Sequence, residues 1–404
     1  MAGDDGRRAR LRRGWSDLPG DILDMVYRGC CSSPYDRIRF AAICSSWRAV
    51  ASWHPKLPAL PLLLPSTGNA KRDRKARAYI LEEDRALRAP LRGFPWGKRI
   101  VGSYNGGWLA AVAGTRLFIV NAFSGARVTL SAKQSIIEGK CPTSRQVFKP
   151  RSKTSTRETC IRKIIFSEDP SSSACILAAI TTRCEIALCR VGYQDDGWTT
   201  AFCDTGAYDE LTDIAFCNGK LYGLAYGELF KFDVRMSDNE APVVTSVTRM
   251  HIERGILRDC GGKSHKKYIF ELRGKLAIAV KFSSGSGCCK SHFFRVFELM
   301  ENGLSWVELT NLDDHALFLG PACSTAVNMP SNCGQRRVER NRIYHSEQQL
   351  CPHHEAKCLN RLDLGSYTLY QGKRKCSQGI RSWGYHYGHE DASNGCIWLL
   401  PPDM

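Results

Sequence analysis

Residues 218–233 read Asn218-Gly219-Lys220-Leu221-Tyr222-Gly223-Leu224-Ala225-Tyr226-Gly227-Glu228-Leu229-Phe230-Lys231-Phe232-Asp233. Two short runs, Lys220–Tyr226 and Leu229–Val234, are rich in branched and aromatic residues and are bounded by Gly, Asn and Asp, which predicts strands joined by a turn. The arrangement recurs. Asn105-Gly106-Gly107-Trp108-Leu109 precedes a strand, a turn and Leu117-Phe118-Ile119-Val120-Asn121. Arg273-Gly274-Lys275-Leu276 precedes a strand and, after a longer loop, Phe294-Arg295-Val296-Phe297. Gly107 and Gly219 are 112 positions apart, and Gly219 and Gly274 are 55 apart, about half that.

Working outward, strands are predicted at Trp108–Val112, Leu117–Asn121, Cys175–Ile180, Glu185–Val191, Lys267–Leu272, Lys275–Phe282, Phe293–Leu299 and Trp306–Leu309. Two units close on a Trp strand, Asp196-Gly197-Trp198-Thr199 and Leu304-Ser305-Trp306-Val307. Small antiparallel meanders repeated every 40–50 residues or so predict a β-propeller. The spacing alone is also that of a single large β-sandwich.

Upstream the pattern changes. Residues 56–65, Lys-Leu-Pro-Ala-Leu-Pro-Leu-Leu-Leu-Pro, are too proline-rich for a helix and predict an extended connector or edge strand. Before them the periodicity is helical. Leu18, Ile22 and Val26 recur every four residues beside Leu23, Pro19 suits a first turn, and Asp21 complements the positive end of the dipole. Gly29 is a stop signal. Ser33-Pro34-Tyr35-Asp36 resembles a capping box, and Phe40, Ile43, Trp47 and Val50 follow as one helical face ending near His54-Pro55. The expected layout is a basic tail at 1–14, a helical domain at 15–54, a linker or edge segment at 55–74 and strand repeats at 75–401. A helical unit of roughly 40 residues is too small to be comfortable alone and calls for a partner or a staple.

Three pieces of that unit resemble an F-box: Leu18-Pro19-x-x-Ile22-Leu23, Asp36-Arg37-Ile38-Arg39-Phe40 and Ile43-Cys44-x-x-Trp47-Arg48. The resemblance implies docking onto the Skp-type adaptor of a cullin–RING (SCF-type) ubiquitin ligase, with Leu18, Pro19, Ile22, Leu23, Ile43, Cys44 and Trp47 as the contact residues. Gly29-Cys30-Cys31-Ser32-Ser33 departs from the family, where many members carry another Leu or Ile. The alternative reading is a helical hairpin packed on the chain's own C-terminal domain. The stretches Leu211–Leu224, Trp306-Val307-Glu308-Leu309, Asp314–Gly320 and Ile397-Trp398-Leu399-Leu400-Pro401 resemble the C-terminal domain of a large group of plant F-box proteins, the KIB-type propeller. Together the resemblances imply a mainly β protein, with F-box helices followed by a propeller of about six or seven blades. They also imply a receptor that binds a target protein and performs no bond chemistry. A propeller scaffold whose degenerate F-box engages no ligase is the alternative within the same fold.

Composition narrows the classes. At 404 residues and 43% hydrophobic content the chain can build a sizeable core. No run of 18 apolar residues exists, so no membrane-spanning helix is expected, and Met1–Arg13 carries five Arg and no apolar core, unlike a secretory signal. With 19 cysteines and no such signal, a reducing intracellular compartment, cytoplasm or nucleus, is expected. The net charge of +17 concentrates in residues 1–13, 71–99 and 133–163, which carry +3, +6 and +7. The last two show little apolar periodicity and predict solvated loops, and residues 133–163 offer only Phe148, with Phe166 nearby, which argues against a nucleic-acid-binding regulator.

The search for chemistry finds no catalytic signature. Cys351-Pro352-His353-His354-x-x-x-Cys358, with His345, His386 and His389, offers soft ligands but lacks the paired spacing of a zinc site. Gly261-Gly262-Lys263-Ser264 mimics the end of a phosphate loop, but Leu257 stands where that loop requires Gly. Neither H-E-x-x-H, G-x-S-x-G nor G-x-G-x-x-G occurs. The vicinal pairs Cys30-Cys31 and Cys288-Cys289 are expected to pack as small hydrophobes. No metal or cofactor is expected, and no target-binding residue can be named.

Overall fold

The computed structural model describes residues 14–31, 34–54, 60–65, 77–81, 85–88, 91–95, 98–113, 116–131, 134, 161–181, 185–192, 197–202, 211–225, 228–250, 252, 266–284, 291–300, 305–329, 338–348, 362–368 and 396–401. These fall into two compact units, a helical one within the first 59 residues and a strand-built one that starts at Leu60. No helix is long and apolar enough to cross a membrane.

The strand unit contains six four-stranded sheets among the described residues. The first joins the two ends of the unit: β24 (Cys396–Leu399) pairs with β1 (Leu62–Pro65), followed by β2 (Arg77–Ile80) and β3 (Arg85–Arg88). Three sheets are simple meanders: β4 (Arg99–Tyr104) to β7 (Arg127–Val128) through β5 (Trp108–Ala113) and β6 (Arg116–Asn121); β8 (Ile161–Phe166) to β11 (Thr199–Phe202) through β9 (Ile176–Thr181) and β10 (Glu185–Arg190); and β12 (Asp213–Cys217) to β15 (Pro242–Met250) through β13 (Lys220–Leu224) and β14 (Leu229–Met236). A fourth meander runs from β16 (Lys266–Leu272) through β17 (Lys275–Ser284) and β18 (Ser291–Leu299) to β19 (Trp306–Leu309). The sixth sheet, built from β20 (His315–Leu319), β21 (Ser324–Asn328), β22 (Arg342–Gln348) and β23 (Leu362–Thr368), has the order β21-β20-β22-β23, with β20 and β22 parallel. Contacts run β24 to β4 to β8 to β12 to β16 to β21, and from β22 back to β24, so the sheets close into a ring. That closure is a propeller and not a sandwich.

The apolar layers lie between neighbouring sheets. In β17, Leu276, Ile278, Val280 and Phe282 join a core with β12–β14, whereas Ala277 and Ala279 pack toward β20 and β22. In β9, Leu177 and Ala179 face the β4–β6 side and Ala178 and Ile180 the β12–β14 side. A strand buried on both faces reads as a continuous apolar run, which is why these strands stand out in sequence. The recurring x-Gly-Lys element is the first hairpin turn of a blade. Asn218 and Gly219 have φ of 49° and 70°, and Arg273 and Gly274 of 53° and 73°, the paired left-handed conformation of a two-residue turn. The two turns are stitched together, since Asn218 Nδ2 donates to the Gly274 carbonyl at 2.6 Å.

Two expectations change. The proline-rich segment supplies no edge strand: β1 sits between β24 and β2, and Leu62, Leu63 and Leu64 are fully buried, because the prolines flank a Pro-free Leu triplet. The basic segments are not only solvated loops, because each runs into an inner strand. Arg99 of β4 donates to the Ile161 carbonyl, and Arg162 of β8 to that of Leu211, so both bridge to the next sheet. Lys163 is 4% exposed and pairs with Asp213, also 4% exposed, whose carboxylate further accepts the Ile269 amide at 3.1 Å. One buried ion pair thereby links β8, β12 and β16. Of the soft ligands singled out in the sequence, His345 is buried in β22 with its ring 5.2 Å from that of Phe294. Cys351, His353, His354, Cys358, His386, His389, the Gly261–Ser264 stretch and Cys288-Cys289 lie outside the described residues.

Candidate docking face of the helical unit

The helical unit opens with a 3-10 turn at Trp15–Asp17, followed by α1 (Gly20–Cys30), α2 (Pro34–Ala41) and α3 (Ser45–Ala51). Pro19 stands at the N-cap of α1, one residue earlier than the first-turn position its geometry suits. The expected single stripe from Phe40 to Val50 is two helices. Cys44 is fully extended and caps α3, so the chain breaks at Ala42–Cys44, and the spacing of Phe40, Trp47 and Val50 survives because both helices face the same core.

That core consists of Leu23, Tyr27, Cys31, Phe40, Trp47 and Val50, with Leu18, Val26, Cys44 and Ala51 packed partly against it. The aromatic rings interlock: Tyr27 meets Phe40 edge-on at 5.1 Å and Phe40 tilts against Trp47 at 4.4 Å. His54 stacks on Tyr27 at 4.0 Å while its Nε2 lies 2.7 Å from Asp24 Oδ1, fixing the end of α3 along α1. The Trp47 indole N–H donates to the Trp15 carbonyl at 3.0 Å, and Ser46 Oγ donates to the Ser16 carbonyl at 3.1 Å, so the 3-10 turn is bolted onto α3.

The seven residues predicted from the sequence divide three ways. Leu23 and Trp47 are 1% and 7% exposed and belong to the unit's own core. Leu18 and Cys44 are half-buried. Pro19, Ile22 and Ile43 are exposed, Ile22 at 40% and Ile43 at 54%. Trp15, Met25 and Trp53 are also exposed, and none of the three follows the motif spacing. Five large apolar side chains are thus open to water on a unit of about 40 residues. Of the vicinal thiols, Cys31 is buried, where removal from water raises it to about 11, and Cys30 is exposed. The Cys44 thiol is held below its usual range, first by its hydrogen bond with Ser46.

Helices that complete their own core yet leave apolar side chains exposed, together with a ring of four-stranded sheets, define a propeller protein with a small N-terminal helical unit. The profile of the KIB1-4 β-propeller family matches residues 78–370, and the chain belongs to that family. Relatives of the chain are named F-box proteins. The F-box protein At2g17036 of Arabidopsis thaliana is 21% identical over 364 residues, covering 79% of this chain and 81% of that protein. F-box protein SKIP23 of the same plant is 42% identical over 57 residues, 14% of each chain, and the putative F-box protein At5g60060 is 35% identical over 77 residues, 18% of this chain and 21% of that one.

Proposed function

We propose that the chain is the substrate-recognition subunit of an SCF-type ubiquitin ligase in the cytoplasm or nucleus, binding a Skp-type adaptor through its helices and a target protein through its propeller. The carrying observation is the split of the motif residues into a buried set and an exposed set. Leu23 and Trp47 shape the module, while Pro19, Ile22 and Ile43, flanked by Leu18 and Cys44, present apolar surface to a partner. The names of the relatives support the same reading. Such a subunit breaks no bonds. It raises the effective concentration of its target beside the ligase's catalytic partner, and the chemistry is done there.

Co-purification with a Skp-type adaptor tests the proposal, with a known F-box protein as the positive control. Retention of adaptor by the wild-type chain is expected. Failure to retain it while the control does would favour a propeller scaffold outside any ligase. A nucleic-acid role is disfavoured by the engagement of Arg99, Arg162 and Lys163 in contacts between sheets.

A further inference from the structure

The outer edge of the β12–β15 sheet differs from those of the other sheets. β3, β11 and β19 are four residues long, β7 two and β23 seven, whereas β15 runs for nine. It pairs with β14 on one side and, among the described residues, with no strand on the other. Its register slips between Asp233 and Val234, and Thr245 Oγ1 donates to the Asp233 carbonyl at 3.1 Å across the slip. That bulge divides the strand. Before it, Pro242 and Val244 lean on the preceding sheet, the first through Thr199 Oγ1 and the second in the apolar layer that holds Ile186 and Leu188. Beyond it, Thr245, Ser246, Val247, Thr248 and Arg249 are all exposed, so both faces and the free edge stand in water. Long exposed edges are normally blunted by Pro or by charge. From Val243 to Thr248 this edge has neither.

We infer that β15 is a strand-docking edge of the propeller, and that its occupant is an extended segment of the target protein with an apolar side chain two residues from an acidic one. The inference rests on the reading of the propeller as a target receptor and adds the place and the chemistry. Its backbone part is general, since alternate amide and carbonyl groups of an edge strand point away from its neighbour and accept a further strand. The side chains make it particular. Val247 stands opposite Phe232 and Arg249 opposite Phe230, on the face that packs against the preceding sheet. An added strand sets one residue beside Val247, extending that apolar layer outward, and the residue two positions away beside Arg249. Arg249 pairs with Glu228, yet its side chain is 70% exposed, and a guanidinium with five donors can bridge a second carboxylate. A second copy of the chain fits less well. Antiparallel self-pairing about Thr248 sets Arg249 of each copy against Val247 of the other and supplies no acid. A few paired residues also bury far less than the roughly 1,200 Å² of a stable interface.

The probe is a phage-displayed library of random octapeptides selected on the full chain. Enrichment of sequences that place an apolar residue two positions from an acidic one, in either order, is expected. The enriched peptides, made synthetically, should slow amide hydrogen exchange at Thr245–Met250 of the unmodified protein. Val247→Lys should weaken their binding about ten-fold or more, and Arg249→Glu should turn the selection toward basic peptides, with unfolding curves showing both variants folded. Absence of enrichment, peptides that bind Val247→Lys as tightly as the wild type, or protection confined to other strands overturns the inference. So does a dimer of the full chain that Val247→Lys dissolves, because the edge then belongs to a second copy. Adaptor retention is expected to be the same in both variants, so failure of the edge leaves the ligase reading standing. Loss of the ligase reading, in turn, leaves a propeller whose edge the same selection still tests.

Discussion

The helical unit and the strand ring handle apolar surface in opposite ways. Of the nine large apolar side chains exposed among the described residues, five (Trp15, Ile22, Met25, Ile43 and Trp53) belong to the helices, although the sheets contribute far more residues. The ring instead sends alternate residues of strands such as β17 into two layers, and even a Lys–Asp pair is drawn inside. The ring places most of its large apolar side chains between sheets, whereas the helical unit leaves five in water, and it is on these that the proposed adaptor contact rests.

The contrast can be broken from either side, beginning with the largest effects. Lys163→Met would strand Asp213 in a dry site, and a loss of about 3–5 kcal/mol in denaturant unfolding of the sheets is expected. The double change Lys163→Met with Asp213→Asn should restore part of it, because no unpaired charge is left and the amide oxygen still accepts the Ile269 N–H. If the single and double variants unfold alike, the pair is not a buried clasp. Trp47→Ala should cost the helical unit a similar amount, about 3–5 kcal/mol. On so small a core that melts the helices, while the circular dichroism of the sheets persists. Loss of the sheet signal too would mean that the two units depend on each other for stability.

Smaller effects sharpen the picture. Gly102 lies at a bulge in β4 where a methyl group would run into the Ile164 carbonyl of β8, so Gly102→Ala should cost the ring about 1–3 kcal/mol. His315 is pushed below its usual range, chiefly by burial and then by Arg273. The unfolded chain therefore takes up that proton first, and stability complete above the ordinary histidine value near 6.5 should fall as the pH drops through it. His315→Gln should flatten that dependence between pH 7 and pH 5. Least of all, Ile22→Ala and Ile43→Ala should each shift stability by no more than about 0.5 kcal/mol, because both side chains already face water.

How far the sequence revealed this depends on what each residue faces. The x-Gly-Lys turns and the strands after them were legible because both faces of those strands are buried and the turn needs left-handed backbone at both positions. The inner strands β4 and β8 were hidden, because Arg99, Arg162 and Lys163 give them the look of charged loop, and only the fold shows the acceptors those cations reach. In the helices the apolar spacing was visible, but not its division. Leu23 and Ile22 are neighbours in the motif, yet one is core and the other surface, because consecutive helical positions point about 100° apart. The break at Ala42–Cys44 has no Gly or Pro to announce it. The 3-10 turn that opens the unit was hidden because it precedes the periodic stretch, and only the bonds from Ser46 and Trp47 to its carbonyls show that it belongs with α3.

The most direct test of the adaptor reading of the exposed helical side chains is the affinity of Ile22→Ala/Ile43→Ala for a Skp-type adaptor, measured by calorimetry beside the unfolding curves of the same protein. Unchanged unfolding with adaptor binding weakened at least ten-fold is the expected result. Unchanged adaptor affinity, or a loss of binding that appears only with unfolding of the helices, would contradict it.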